Sequence, residues 1–157
     1  MNRCMIVVDM QNYFRPGPGM VAQINQLAAT MPTCATLFVH DENQVPLVKF
    51  GRTPPQDNAT LISAMATFPK PGFGIPAQAL EWLKKQQPDE VLVAGCHTDA
   101  NLLAAGFSLF NAGMRPAVLP QLCFGNDWYM HTVTTGVWER EIGKVYQSAA
   151  ELQFGSL

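Results

Sequence analysis

Short, uniformly apolar runs recur along the chain, each ending at a turn former or polar residue: Cys4–Val8 (CMIVV) before Asp9, Ala35–His40 (ATLFVH), Val91–Ala94 before Gly95, and Pro116–Leu119. Runs this short, without polar alternation, predict strands buried on both faces. Between them lie segments with apolar residues at helical spacing. Val21, Ile24, Leu27 and Ala28 predict a helix over Met20–Met31, ended by Pro32. Pro76 suits a first helical position before Ala79, Leu80 and Leu83, with Pro88 closing that helix. Thr98 and Asp99 supply a helix start ahead of Leu102, Leu103, Phe107 and Phe110, and Gly113 a C-cap.

Weaker patterns fill the rest. Asn58–Ala66 reads as a short helix capped by Asn58, Thr67–Lys70 as a brief extended piece, Asp127–Glu141 as helical and Lys144–Gln147 as a last strand. Gln11–Gly19, with Arg15-Pro16-Gly17-Pro18-Gly19, and Pro71–Gly74 are loops; Asp41–Gln56 is a polar excursion without periodicity. Strands alternating with helices on short connections predict a three-layer α/β/α protein, a doubly wound parallel sheet forming one domain over residues 1–157. In such a fold the turn after Val91–Ala94 delivers backbone N–H groups to the sheet edge where ligands bind.

Composition narrows the function classes. Hydrophobic residues make up 48% of the chain and charged residues only 14%, so some surface is expected to be covered in a homo-oligomer. A net charge of −2 and no basic cluster argue against a nucleic-acid partner. The first apolar run is too short for a signal-peptide core or a membrane span, so the expectation is a cytoplasmic protein without membrane association. Cys4, Cys34, Cys96 and Cys123 form no CxxC pair and read as reduced, mostly buried thiols.

Three motifs carry candidate chemistry. VVDMQNYF (Val7–Phe14) places Asp9 at a strand end, FPKPGFGIP (Phe68–Pro76) places Lys70 at another, and GCHTDANL (Gly95–Leu102) forms the central turn. Their order and spacing, with the tail KVYQSAAEL (Lys144–Leu152), resemble the isochorismatase-like hydrolase superfamily, which includes nicotinamidases, other cysteine hydrolases and isochorismatases. In the amide-cleaving members the residue three after the turn threonine is the nucleophilic cysteine; here it is Asn101. An amide offers no thiolate, so an acyl-enzyme cannot form on it. Isochorismatases also lack that cysteine. Their resemblance implies a vinyl ether protonated by Asp9, with Lys70 meeting a substrate carboxylate and Asn101 hydrogen-bonding the substrate or a water.

The same residues carry plainer readings. Asp9 can simply cap a loop, and Lys70 alone would read as an exposed lysine. The resemblance implies a cis peptide at Cys96–His97. Cys96 is a rival nucleophile for an amidase, or an inert buried thiol; His97 is an acid, base or donor, or a space-filling side chain. Cys96, His97, Thr98, Phe14 and Phe73 are the substrate-binding candidates, with His40, Trp128 and Tyr129 as further possible walls. Zinc-containing relatives carry an Asp-x-His and a second histidine after the second strand. Here that region is His40-Asp41-Glu42-Asn43, and His131 lies far off in sequence, so neither a metal nor another cofactor is expected. The leading expectation is a hydrolase of a small-molecule substrate without a cysteine nucleophile. Its rivals are a catalytically silent metabolite-binding subunit and an amidase using Cys96 or His97.

Overall fold

The computed structural model describes residues 1–153. Six strands, β1 (Arg3–Val8), β2 (Thr33–Phe38), β3 (Ala66–Lys70), β4 (Glu90–Cys96), β5 (Pro116–Phe124) and β6 (Lys144–Val145), form one sheet in the order β3-β2-β1-β4-β5-β6. Every pairing is parallel. Five helices accompany it: α1 (Pro18–Ala28), α2 (Ala77–Lys85), α3 (Leu103–Asn111), α4 (Trp128–Val137) and α5 (Ala149–Gln153). This is the expected doubly wound α/β architecture.

The apolar runs explain the layering. Along β1, Cys4, Ile6 and Val8 pack on one face with Val91 and Val93 of β4, Ala79 and Leu83 of α2, and Ala105 and Leu109 of α3. Met5 and Val7 point the other way, joining Leu92, Ala94, Ile24 of α1 and Leu152 of α5. A strand's period of two serves both layers only if every position is apolar, which is why β1 and β4 show no alternation. At the amino end of the sheet, Glu90 Oε1 accepts from Arg3 Nε at 2.8 Å and from the Tyr146 hydroxyl at 2.7 Å, joining β1, β4 and the segment after β6. No described helix is long and apolar enough to cross a membrane.

Several expected elements differ in detail. Residues 58–65 form no helix: Leu61 N donates to Met10 O, Ser63 N to Asn25 Oδ1 and Met65 N to Thr33 O, so tertiary partners take the amides a helix needs. Ile62 is buried there as a plug in the second core. Helix α1 starts at Pro18, earlier than the apolar spacing indicated, because proline suits the first turn. Pro76, expected as the first helical residue, is the cap before α2, which begins one position later at Ala77. β5 runs on past Leu119 to Phe124, and its register with β4 shifts between Val93 and Gly95. The Asp127–Glu141 segment divides into α4, capped by Asp127 Oδ1 on Met130 N, and a π-helical turn at Trp138–Ile142.

The order of strands reverses between β1 and β4, where Val8 pairs with Gly95. Open α/β sheets hold their ligands at the carboxyl ends of such a pair. Gly95 has φ +116°, and a Cβ there would collide with the Val8 carbonyl and sit 2.7 Å from Val8 N. Gly113 also has positive φ, +76°, but faces open space. Gly95→Ala is therefore expected to destabilise by at least about 3 kcal/mol, through backbone strain plus overpacking. Gly113→Ala should cost only about 1–2 kcal/mol, and urea unfolding of the two variants checks the difference.

Candidate functional site

Asp9 follows β1 in the left-handed region at φ 54°, which turns its carboxylate under the sheet edge. Its amide donates to Thr36 O at 3.3 Å, and Thr36 Oγ1 donates to Asp9 Oδ1 at 2.7 Å. Lys70 ends β3, and strand pairing through β2 brings its Nζ to 2.8 Å from Asp9 Oδ2. Apart from that ion-pair contact, Oδ2 has no hydrogen-bond partner among the described residues. Asp9 is fully buried and Lys70 is 1% exposed.

Burial acts on both partners. It pushes the Asp9 carboxyl above the usual carboxylate range, with Lys70 and Thr36 offsetting part of the effect. It pushes the Lys70 ammonium down, with Asp9 partly opposing. Each shift favours the uncharged form of its own group. Oδ2, free of the threonine, is the oxygen on which the Asp9 carboxyl would carry a proton.

Asn101 lies on a π-helical turn, Thr98–Leu102, interposed between β4 and α3 where a regular helix start was expected. Its Oδ1 is 3.3 Å from Lys70 Nζ. Because an ammonium only donates, the amide must give its oxygen to Lys70, leaving Nδ2 without a partner among the described residues and not sealed from solvent. The ammonium also donates to Gly72 O at 2.6 Å and lies 4.8 Å above the Phe38 ring. Its three hydrogens thus face Asp9, Gly72 and Asn101. The expected role of Lys70 as the binder of a substrate carboxylate does not suit an ammonium already surrounded by acceptors.

The remaining candidates separate. Cys96 is fully buried, its Sγ donates to Asp9 O at 3.3 Å, and burial together with Asp9 pushes the thiol up, away from a reactive thiolate. The peptide between Cys96 and His97 is cis. The His97 ring packs edge-on against Phe14 at 5.2 Å and Phe124 at 5.6 Å, and Phe14 in turn against Phe38 at 6.4 Å. An aromatic wall therefore runs from beneath Lys70 to His97. Thr98 is buried, but its hydroxyl caps nothing; it pairs with His131 Nδ1 at 2.8 Å. Asp99 accepts from Asn126 N and Nδ2. Phe73 stands out on its loop at 42% exposure, and Trp128 and Tyr129 on α4 are exposed at 79% and 68%.

Thr36, Gln11 and His131 were not anticipated. Gln11, buried, exchanges hydrogen bonds with the Phe38 backbone and donates to Asp57 O, fixing the loop after Asp9. Its only sequence signal is its place two residues beyond Asp9. His131 had none, since the turn and α4 meet only through the fold.

The Isochorismatase domain model matches residues 3–145. The chain belongs to the isochorismatase family of hydrolases. No curated protein matches it. Among solved structures it is similar to PnC1 from L. infantum in complex with nicotinate, at 18% identity and TM-score 0.78, covering 95% of this chain and 94% of that one. It is also similar to an isochorismatase family protein from Desulfovibrio vulgaris, at 15% identity and TM-score 0.76, covering 98% of each chain. A third is the pyrazinamidase of Pyrococcus horikoshii in complex with zinc, at 16% identity and TM-score 0.76, covering 94% of this chain and 100% of that one.

The residues of this family member do not fit a zinc ion. His40 Nε2 pairs with Glu42 Oε2 at 2.5 Å, Glu42 accepts from the Val48 and Lys49 amides, and Asp41 accepts from Asn43 and Gln44. Among the described residues, no three His, Cys, Asp or Glu side chains converge as a metal site.

The buried pair sets a stability prediction. Asp9→Asn leaves Lys70 buried without its counter-charge and should cost about 3–5 kcal/mol at neutral pH, while Asp9→Asn with Lys70→Met should return to within about 1 kcal/mol of wild type. In the single variant the folded lysine is held below its unfolded value, so stability is lost as pH falls and recovers as pH rises. Urea unfolding at neutral and alkaline pH should show the deficit of the single variant narrowing, and that of the double variant unchanged.

Proposed function

We propose that this isochorismatase family member hydrolyses a small vinyl ether by acid catalysis from Asp9, without a covalent intermediate. The observation that carries the reading is the convergence of Asp9 from the end of β1, Lys70 from the end of β3 and Asn101 from the turn after β4 in one buried cluster. Among the described residues Asp9 Oδ2 meets only Lys70, at 2.8 Å, and an amide stands at the position that the nucleophile takes in the cysteine enzymes.

Asp9 Oδ2 delivers its proton to the methylene carbon of the substrate, and the C=C electron pair becomes the new C–H bond. Positive charge then develops on the ether-bearing carbon. Water adds there and returns a proton to Asp9. The resulting hemiketal collapses, its hydroxyl proton passing to the departing oxygen, to give pyruvate and an alcohol. The Lys70 ammonium, 2.8 Å from Oδ2, offsets the negative charge left on Asp9 as the proton departs. Asn101 Nδ2 is left to donate to the ether oxygen.

Full burial of Asp9 and Lys70 favours a second reading, a catalytically silent member that binds a metabolite. Pyruvate release from isochorismate, followed with a coupled dehydrogenase, separates the two. Wild-type protein should release pyruvate, and Asp9→Asn should lose at least about a hundredfold in rate, the usual contribution of a positioned general acid. The double variant Asp9→Asn with Lys70→Met, being folded, should be equally inactive. Absence of release from wild type favours the silent reading.

A further inference from the structure

A pyruvyl vinyl ether carries a carboxylate beside the carbon that develops charge, and the site needs a donor for it. Lys70 is an unsuitable donor: Asp9 Oδ2, Gly72 O and Asn101 Oδ1 already surround its ammonium at 2.8, 2.6 and 3.3 Å. Asn101 has one side of its amide committed to that lysine. The thiol of Cys96 points back to Asp9 O.

His97 is differently placed. It directly follows Cys96 at the end of β4, so its backbone adjoins the floor of the site. Its ring is half-buried and held edge-on between Phe14 and Phe124, in the aromatic wall that continues through Phe38 to Lys70. Neither ring nitrogen has a hydrogen-bond partner among the described residues, and neither is sealed from solvent, so both are open to a ligand. The nearest acid, Asp99, is engaged by the amide and side chain of Asn126. His131, the other histidine beside this turn, has its Nδ1 on Thr98.

We propose that His97 is the specificity-determining residue of this site, donating from its imidazole to the carboxylate of an α-substituted acrylate. The inference rests on the vinyl-ether reading for the identity of the substrate, while the carboxylate subsite stands on the geometry of His97. A small side chain at this position would leave the wall between Phe14 and Phe124 open and without a donor.

Two readouts test this. In steady-state hydrolysis of isochorismate, His97→Phe, which keeps the aromatic packing, should raise KM by about tenfold or more, the loss of a charge-assisted hydrogen bond, with the effect falling on KM rather than kcat. In the intact wild-type protein, the imidazole 15N resonances of His97 should shift on addition of 2-methoxyacrylate and not on addition of its methyl ester. A KM within twofold of wild type, or equal shifts with acid and ester, overturns the proposal. An acid-specific shift in a protein that releases no pyruvate supports the carboxylate subsite and removes the vinyl-ether reaction.

Discussion

The Asp9–Lys70 pair is the constraint around which the site is built. Two ionisable groups with almost no exposure sit 2.8 Å apart at the ends of β1 and β3, with β2 between them supplying Thr36. Removing either charge from water is costly, and only the partner and a few hydrogen bonds offset that cost. The sheet must therefore hold both strand ends in register. The uniformly apolar β1 and β4, the close approach of Gly95 to Val8 and the Gln11 bonds to Phe38 serve that alignment. Core packing and acid chemistry are thus one problem: the burial that stabilises the sheet also pushes the Asp9 carboxyl towards its protonated form.

Asn101 changes what such a site can do. Lys70 orients the amide by taking its oxygen, so the group presented to the accessible side is an N–H donor. A donor cannot attack a carbonyl. It can support a developing oxygen charge or hold a water, and in the proposed reaction the neighbouring Asp9 carboxyl is the reactive element. The buried, upward-shifted thiol of Cys96 does not restore a nucleophile.

Much of this was legible in the chain because it depends on local pattern. Unbroken apolar runs at Cys4–Val8 and Val91–Ala94 indicated strands covered on both faces, and Asp9, Lys70 and Asn101 were singled out because each stands at the end of a run or in the turn following one. The misses have a common physical origin. Residues 58–65 had a helical pattern, but their amides bond to Met10, Asn25 and Thr33, partners distant in sequence. Thr98 looked like a cap and instead pairs with His131, which only the placement of α4 brings near. The saturation of Lys70 was likewise invisible, since it depends on the Gly72 carbonyl and the Asn101 amide meeting the same ammonium.

The central claim is that the proton comes from Asp9 to carbon and that the bond broken is the one between the former vinyl carbon and the ether oxygen. Turnover of isochorismate in H2(18)O, with mass analysis of the ring alcohol, tests it most directly. The account predicts a ring alcohol that retains its original oxygen, the solvent label entering only the pyruvate keto group. Solvent oxygen in the ring hydroxyl would mean that water attacks the ring carbon, and would contradict it.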